Sequence, residues 1–336
     1  MAVLAEKRRI SVVVPTRNRP DTLRQALASI RALEADDLTF EILVGDDGDD
    51  PRTRGVCAEF GAKHLPVSEN SSGAARNAGL VAATGDLIAF LDDDDVWMAN
   101  HVRPHLAVLD ARPEVEAVMA RVMPVDEELR ATGGPWPLTV CAEGDESVRA
   151  MLSGYFPQIG ATIVRASVRE AVGAFDVALL GGQDWDWQLR VARRRKTAYI
   201  ADPCVLFRQR APGTFDALRL QRLGCGRRVF LRHALPERRV WPGLRAMARS
   251  YRDVLWQHYA YFVEAAVDRA EKGEPGVWRA IWGAWRTFPL RTTYQLIAST
   301  PLRSAMQTAL MPHCRAPQDG APRRPDPGVQ RHGDIA

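Results

Sequence analysis

Cysteine is scarce in this chain: Cys57, Cys141, Cys204, Cys225 and Cys314 are odd in number and never fall in a CxxC pair. That excludes a disulfide-stapled scaffold and reads as free thiols in a reducing compartment. Long apolar runs are missing too. Nowhere do about 18 apolar residues follow one another, the length a membrane-spanning helix needs. The opening MAVLAEKRRI carries charge where a secretory leader has its apolar core. The expectation is a cytoplasmic protein, at most peripheral at the inner face of a membrane. Zinc-finger spacing, an RNA-recognition signature and a basic zipper are also absent, so nucleic acid is not an expected partner.

What is present is an ordinary globular composition of unequal halves. With 336 residues, 46% hydrophobic and 26% charged, there is room for one large domain and an appendage. The net charge of +4 is unevenly spread. Residues 1–210 carry 25 Lys/Arg against 31 Asp/Glu, and residues 211–336 carry 20 against 10. An acidic partner such as a membrane surface is therefore directed to the second part.

The stretch DLIAFLDDDDVW, residues 86–97, organises the first part. Residues 87–91 are an unbroken apolar run, suited to a strand buried on both faces of a parallel sheet. Four carboxylates, Asp92 to Asp95, follow at once, and no basic residue stands between Asp92 and Trp97. Open α/β sheets bind ligands at the carboxyl ends of their strands. Carboxylates crowded there call for a counter-ion, and Mn²⁺ or Mg²⁺ bridging to substrate phosphates meets the need. A solvated acidic loop is the plainer alternative.

Residues 10–14 (ISVVV) predict the first strand, ended by Pro15, with Asp21 as cap of a helix that gathers Leu23, Ala26, Leu27 and Ile30 on one face. Residues 40–44 (FEILV) predict a second strand running into Gly45, Asp46 and Asp47, with Pro51 placed to start the next helix. For Asp46 and Asp47, turn chemistry stands beside a binding role. Residues 70–83 read as a glycine-bearing loop entering a helix. Arg76 near its start suits a pyrophosphate, or else pairs with a neighbouring carboxylate. Further on, Pro104 is expected to bend a helix over 97–109, and Ser167 to cap a short one. His101 and His105, four apart, lack a third ligand in range and read as packing residues.

PTRNRPDTLRQAL from Pro15, EILVGDDGDD from Glu41, GAARNAGL from Gly73 and IAFLDDDDVW from Ile88 occur in this order and at this spacing. Together they resemble the nucleotide-sugar half of a family 2 glycosyltransferase with the GT-A fold. The resemblance implies a Rossmann-like, mixed but mostly parallel sheet with a C-terminal helical extension. It places nucleotide-sugar contacts at Pro15, Thr16, Arg17, Asp46, Asp47, Arg76, Asp92 and Asp93, with Asp94 on the metal. Gly45 departs from the family, which more often has an apolar residue there. In GGQDWDWQLRVARRR, from Gly181, the family's acidic pair reads Gln183-Asp184. The general base therefore maps to Asp184, with Asp186 in reserve. Arg208, and Arg210 in place of a family histidine, are expected over the diphosphate. The implied reaction is inverting transfer from a nucleotide sugar, a UDP-sugar foremost, to an acceptor hydroxyl. In such a transfer a cation stabilises the departing diphosphate and a carboxylate takes the acceptor proton.

Two rival classes remain. A nucleotidyltransferase would carry glycine after the first strand, and PTRNRP has none. A non-catalytic scaffold on the same fold would have lost the carboxylates. The expected organisation is a catalytic domain over 1–214, a helical extension over 215–311 and a disordered tail over 312–336. Within the extension, five of the nine Trp lie between Trp241 and Trp285. Val277, Trp278, Ile281, Trp282 and Trp285 form one apolar stripe beside Arg279 and Arg286. It suits either packing on the catalytic domain or peripheral contact with a membrane.

Overall fold

The computed structural model describes residues 7–138, 145–153, 156–209, 219–235, 243–298 and 300–310. The first predicted strand is β1 (Arg8–Thr16), followed by α1 (Pro20–Arg31) and β2 (Leu38–Asp46). Then come α2 (Arg52–Glu59), β3 (Lys63–Pro66), α3 (Ser72–Ala82) and the apolar run as β4 (Leu87–Phe90). β1 pairs in parallel with both β2 and β4, and β2 with β3, so these four strands end on one edge of the sheet. Beyond β4 the chain forms β5 (Val96–Trp97), α4 (Val102–Ala111), β6 (Ala117–Val125), α5 (Asp145–Met151), β7 (Thr162–Arg165), α6 (Ser167–Val172), α7 (Gln183–Arg194) and β8 (Thr197–Arg208). The single sheet runs β3-β2-β1-β4-β7-β6-β8-β5 and is mixed, because β7 is antiparallel to β4 and β6, and β5 to β8.

The period of two in β1 sends Val12 and Val14 to one side and Val13 to the other, and all three are fully buried. Each such side chain contributes roughly 1.5–3 kcal/mol relative to exposure. On one side α1, α2 and α4 cover the sheet; on the other lie α3, α5, α6 and α7. That second core continues into α8 (Arg219–Ala234) through Val229 and Phe230, and into the first half of α9 (Leu244–Lys272) through Leu255. A smaller separate core joins Tyr259, Phe262 and Ala266 of α9 to α10 (Val277–Thr287) and α12 (Pro301–Leu310), with α11 (Pro289–Ile297) between them. Among the described residues no helix is long and apolar enough to cross a membrane. The predicted tail lies outside the described residues. Cys57, Cys204 and Cys225 are buried free thiols.

Three local expectations are corrected. Arg19, not Asp21, occupies the N-cap of α1, and Pro20 takes the first helical position, where a missing N–H costs nothing. Pro104 leaves its helix unbroken because α4 starts only at Val102, so the proline sits in a first turn whose N–H groups have no intrahelical acceptor. Ser167 lies inside α6, and its hydroxyl donates to Glu116 at 3.2 Å.

Two glycines let α3 lie close against the sheet. A Cβ on Gly79 would come within 2.5 Å of Val13, and one on Gly45 within 2.1 Å of the Ala75 carbonyl oxygen. This explains the departure at Gly45: a side chain there would push away the helix that carries Arg76. Gly45→Ala is expected to cost about 1–3 kcal/mol or more, because the obstacle is main chain and has no rotamer to change. It should appear as a lower urea midpoint at unchanged m-value. An unchanged midpoint would show that α3 can shift freely.

Candidate nucleotide-sugar site

The carboxyl ends of β1, β2 and β4, with the starts of α3 and α7, enclose a cleft of about 1180 Å³. Pro15, Thr16, Arg17, Arg19, Asp47, Arg76, Asp92 to Asp94, Asp184 and Arg208 all line it. The acidic run lacks local cations, so the fold brings them from elsewhere. Arg76, 4% exposed, pairs with Asp92 at 2.5 Å. Arg19 Nη1 bridges Asp93 at 3.1 Å and Asp94 at 2.8 Å, and Thr16 Oγ1 donates to Asp93 at 2.7 Å. The Arg208 N–H donates to Asp95 Oδ1 at 2.9 Å, and its Nη1 to the Asp94 carbonyl oxygen at 2.8 Å.

These partners do not fully offset the negative charge. Burial, with repulsion from Asp94, pushes Asp93 up to about 6 despite Arg19. Burial and the neighbouring Asp94 and Asp92 also raise Asp95 well above the ordinary carboxylate range, and its Oδ2 is buried without a hydrogen-bond partner. A cluster of hard carboxylate oxygens with surplus negative charge, two of them partly open to a cleft, fits a divalent cation.

Asp184 stands at the second position of α7, entered through Gly182 in the left-handed region at φ 71°. The abrupt turn expected of the paired glycines is this one. The Trp185 N–H donates to Asp184 Oδ1 at 2.9 Å. Burial raises the Asp184 pKa; Arg76 opposes that rise and Asp92 adds to it. A partly desolvated carboxylate facing a cleft can accept a proton, and the Arg76 charge favours its ionised form.

Residues 11–147 match the model of a family described as Glycosyl transferase family 2. Over that segment the chain is similar to family 2 glycosyltransferases. It is 33% identical over 104 residues to the Escherichia coli UDP-Glc:alpha-D-GlcNAc-diphosphoundecaprenol beta-1,3-glucosyltransferase WfgD, a match covering 30% of this chain and 40% of that protein. The uncharacterized glycosyltransferase YwdF of Bacillus subtilis is 26% identical over 202 residues, covering 58% and 72%. Among solved structures, the S. aureus TarS 1–349 fragment in complex with UDP-GlcNAc aligns with a TM-score of 0.58 at 15% identity, over 89% of this chain and 88% of that one. That likeness establishes the GT-A fold.

Most predicted site residues share the cleft. Asp46 does not. It is 5% exposed, held by His64 Nε2 at 2.8 Å and by the Gly48 N–H at 3.0 Å, so it shapes the turn beneath Asp47. Asp47 lines the cleft and also accepts the Asn70 N–H at 2.9 Å. Asn18, at φ 54°, accepts the N–H groups of Asp49 and Asp50 and so ties the two loops together. Gln183 turns away from acid chemistry: its amide donates to the Ser72 hydroxyl, joining the starts of α7 and α3. Asp186, the reserve base, is 1% exposed and bonded to Arg190, Arg232 and His233, so it does not line the cleft. Arg210 lies outside the described residues.

Sequence reasoning missed Arg19, although it stands in PTRNRP; two positions from Arg17, its direction depends on the turn after β1. It also missed a third group near the histidine pair. Cys204 of β8 lies 3.2 Å from His101 Nδ1, and the three side chains form a buried cluster. Both His105 nitrogens face main-chain carbonyls, of His101 at 2.6 Å and Ala161 at 3.2 Å, so neither is directed at an ion. Burial lowers both histidine pKa values.

Proposed function

We propose that the protein transfers a sugar from a nucleotide-sugar donor, a UDP-sugar foremost, to an acceptor hydroxyl with inversion. The observation that carries this reading is the convergence in one cleft of Asp47, Arg76, the Asp92–Asp94 carboxylates and Asp184. In this reading Asp47 meets the nucleobase, Arg76 and Arg208 face the diphosphate, and Asp92 and Asp93 lie toward the ribose. Asp94 would hold Mn²⁺ or Mg²⁺, whose chemistry is to offset charge on the departing diphosphate. Asp184 takes the acceptor proton as the new bond forms, and the nucleoside diphosphate leaves from the opposite face of the sugar. One displacement needs no covalent enzyme intermediate. Relatives similar over this segment support the donor class. The name of the E. coli relative specifies UDP-glucose and a lipid diphosphate acceptor, which favours a lipid-linked glycan as acceptor here.

The test is a thermal-shift screen of UDP-, GDP-, dTDP- and CMP-sugars with and without Mn²⁺, on wild type and Asp94→Ala. A donor at a hundred times its Kd should stabilise wild type by about 2.7 kcal/mol. The expected result is one nucleotide class that raises the melting temperature only with metal, and loss of that metal effect in Asp94→Ala. A screen in which no nucleotide shifts wild type would overturn the donor reading and leave the scaffold class ahead.

A further inference from the structure

The helices beyond the catalytic cleft carry a surface that sugar transfer does not use. The stripe read from the sequence as one face of α10 is divided in the fold. Val277, Ala280, Ile281 and Ala284 point inward to the small core, while Trp278, Trp282 and Trp285 point outward at 48, 56 and 39% exposure. The outward three fall at i, i+4 and i+7, and the Trp282 and Trp285 rings stack at 5.1 Å. α11 repeats the pattern with Leu290, Tyr294 and Ile297 at 89, 70 and 71% exposure. Trp285 Nε1 donates to Thr293 Oγ1 at 3.3 Å, which joins the two helices along these stripes.

The charge carried by α10 and α11 themselves has one sign. No carboxylate side chain occurs between Glu274 and Asp319, while Arg279, Arg286, Arg291 and Arg303 all fall in that interval. Arg291 lies over the Trp256 ring at 4.6 Å, so a further tryptophan with its own cation borders the patch. Exposed indoles beside arginines, with no acid among them, match a lipid headgroup region: the rings enter the boundary layer and the guanidinium groups meet phosphates.

We infer that the outer face of α10 and α11 docks the protein on an anionic phospholipid surface. A second copy of the chain is the poorer occupant, because a twofold contact would set these arginines against themselves with no acid to answer them. Each arginine brought to an anionic surface should strengthen binding about fivefold. The inference stands on the helical face alone and does not depend on the donor chemistry. Joined to that chemistry, it would hold the enzyme where lipid-linked acceptors lie.

Full-length protein would be sedimented with vesicles of phosphatidylglycerol and phosphatidylcholine, and with phosphatidylcholine alone, at low and high salt. Tryptophan emission would be followed in parallel. Binding at least tenfold stronger to the anionic vesicles, weakened by salt and accompanied by a blue shift, is the expected result. Trp278→Ser with Trp282→Ser should abolish the blue shift and lower binding tenfold or more; Arg279→Glu with Arg286→Glu should remove the preference for anionic lipid. All four side chains are exposed, and an unchanged melting temperature verifies folding of the variants. Equal binding to both vesicle types, absence of binding, or a dimer in solution that the Trp278/Trp282 pair of changes dissociates would each overturn the inference. Nucleotide binding measured without vesicles reports on the cleft separately, so failure of one reading is not mistaken for failure of the other.

Discussion

Asp184→Asn is expected to lower turnover by about 10²- to 10⁴-fold while nucleotide binding stays within about twofold of wild type. The amide keeps the shape of the side chain and its contact with the Trp185 N–H region but cannot take a proton. Nucleoside diphosphate release from the donor selected by thermal shift, with the acceptor present, measures the effect. Equal loss of donor binding and turnover would instead make Asp184 a structural part of the cleft. The pH profile of wild type provides a second reading of the same group. Burial raises the Asp184 pKa, with Arg76 restraining the rise, so the acid limb of turnover should lie above the ordinary carboxylate range. Only the ionised form accepts a proton, so activity is present above that pKa and falls as the pH drops through it. Asp184→Asn should remove this limb from whatever activity remains.

The arrangement of the site was legible in the sequence to the extent that single segments determine it. The apolar run before Asp92 predicted a strand buried on both faces, and β4 is one because Ile88 and Phe90 enter the core on one side of the sheet and Leu87 and Ala89 the core on the other. The acidic run ends that strand at the cleft. Of the cations that counterbalance the acids, Arg76 was legible as a carboxylate partner, but Arg19 and Arg208 were not, because they come from 75 and 114 positions away and are assembled by strand order. The same holds for His64 on Asp46 and for Cys204 beside His101. The tryptophan stripe failed for a different reason. A period of 3.6 identifies an apolar sector on α10 but cannot divide it between a face that packs and one that stays open. That division depends on α9, whose Phe262 ring approaches so closely that a Cβ on Gly283 would come within 2.4 Å of it.

Asp186→Ala is expected to cost about 3–5 kcal/mol of folding stability, the usual consequence of removing one member of a buried ionic cluster. Asp186 Oδ1 receives His233 Nε2 at 2.9 Å and Arg232 at 3.0 Å, and Oδ2 receives Arg190 at 3.0 Å. Arg232 is 41% exposed, so solvent screens its share and most of the cost arises at Arg190 and His233. Burial opposes ionisation of Asp186, yet the His233 hydrogen bond and the Arg190 charge outweigh it and bring the pKa down to about 2. A depressed carboxylate pKa stabilises the fold above the ordinary value of 3.8, and that contribution is lost as pH falls toward 2. The gap between wild type and Asp186→Ala in urea unfolding should therefore be full at neutral pH and narrow below about pH 4. The cluster pins α7 to α8, and α7 also carries Asp184, two residues before Asp186. Asp186→Asn, which keeps the volume, should lose stability yet retain turnover per folded molecule. If Asp186→Asn instead folds as well as wild type and loses turnover, the base lies at Asp186 and the cleft must open toward it during reaction.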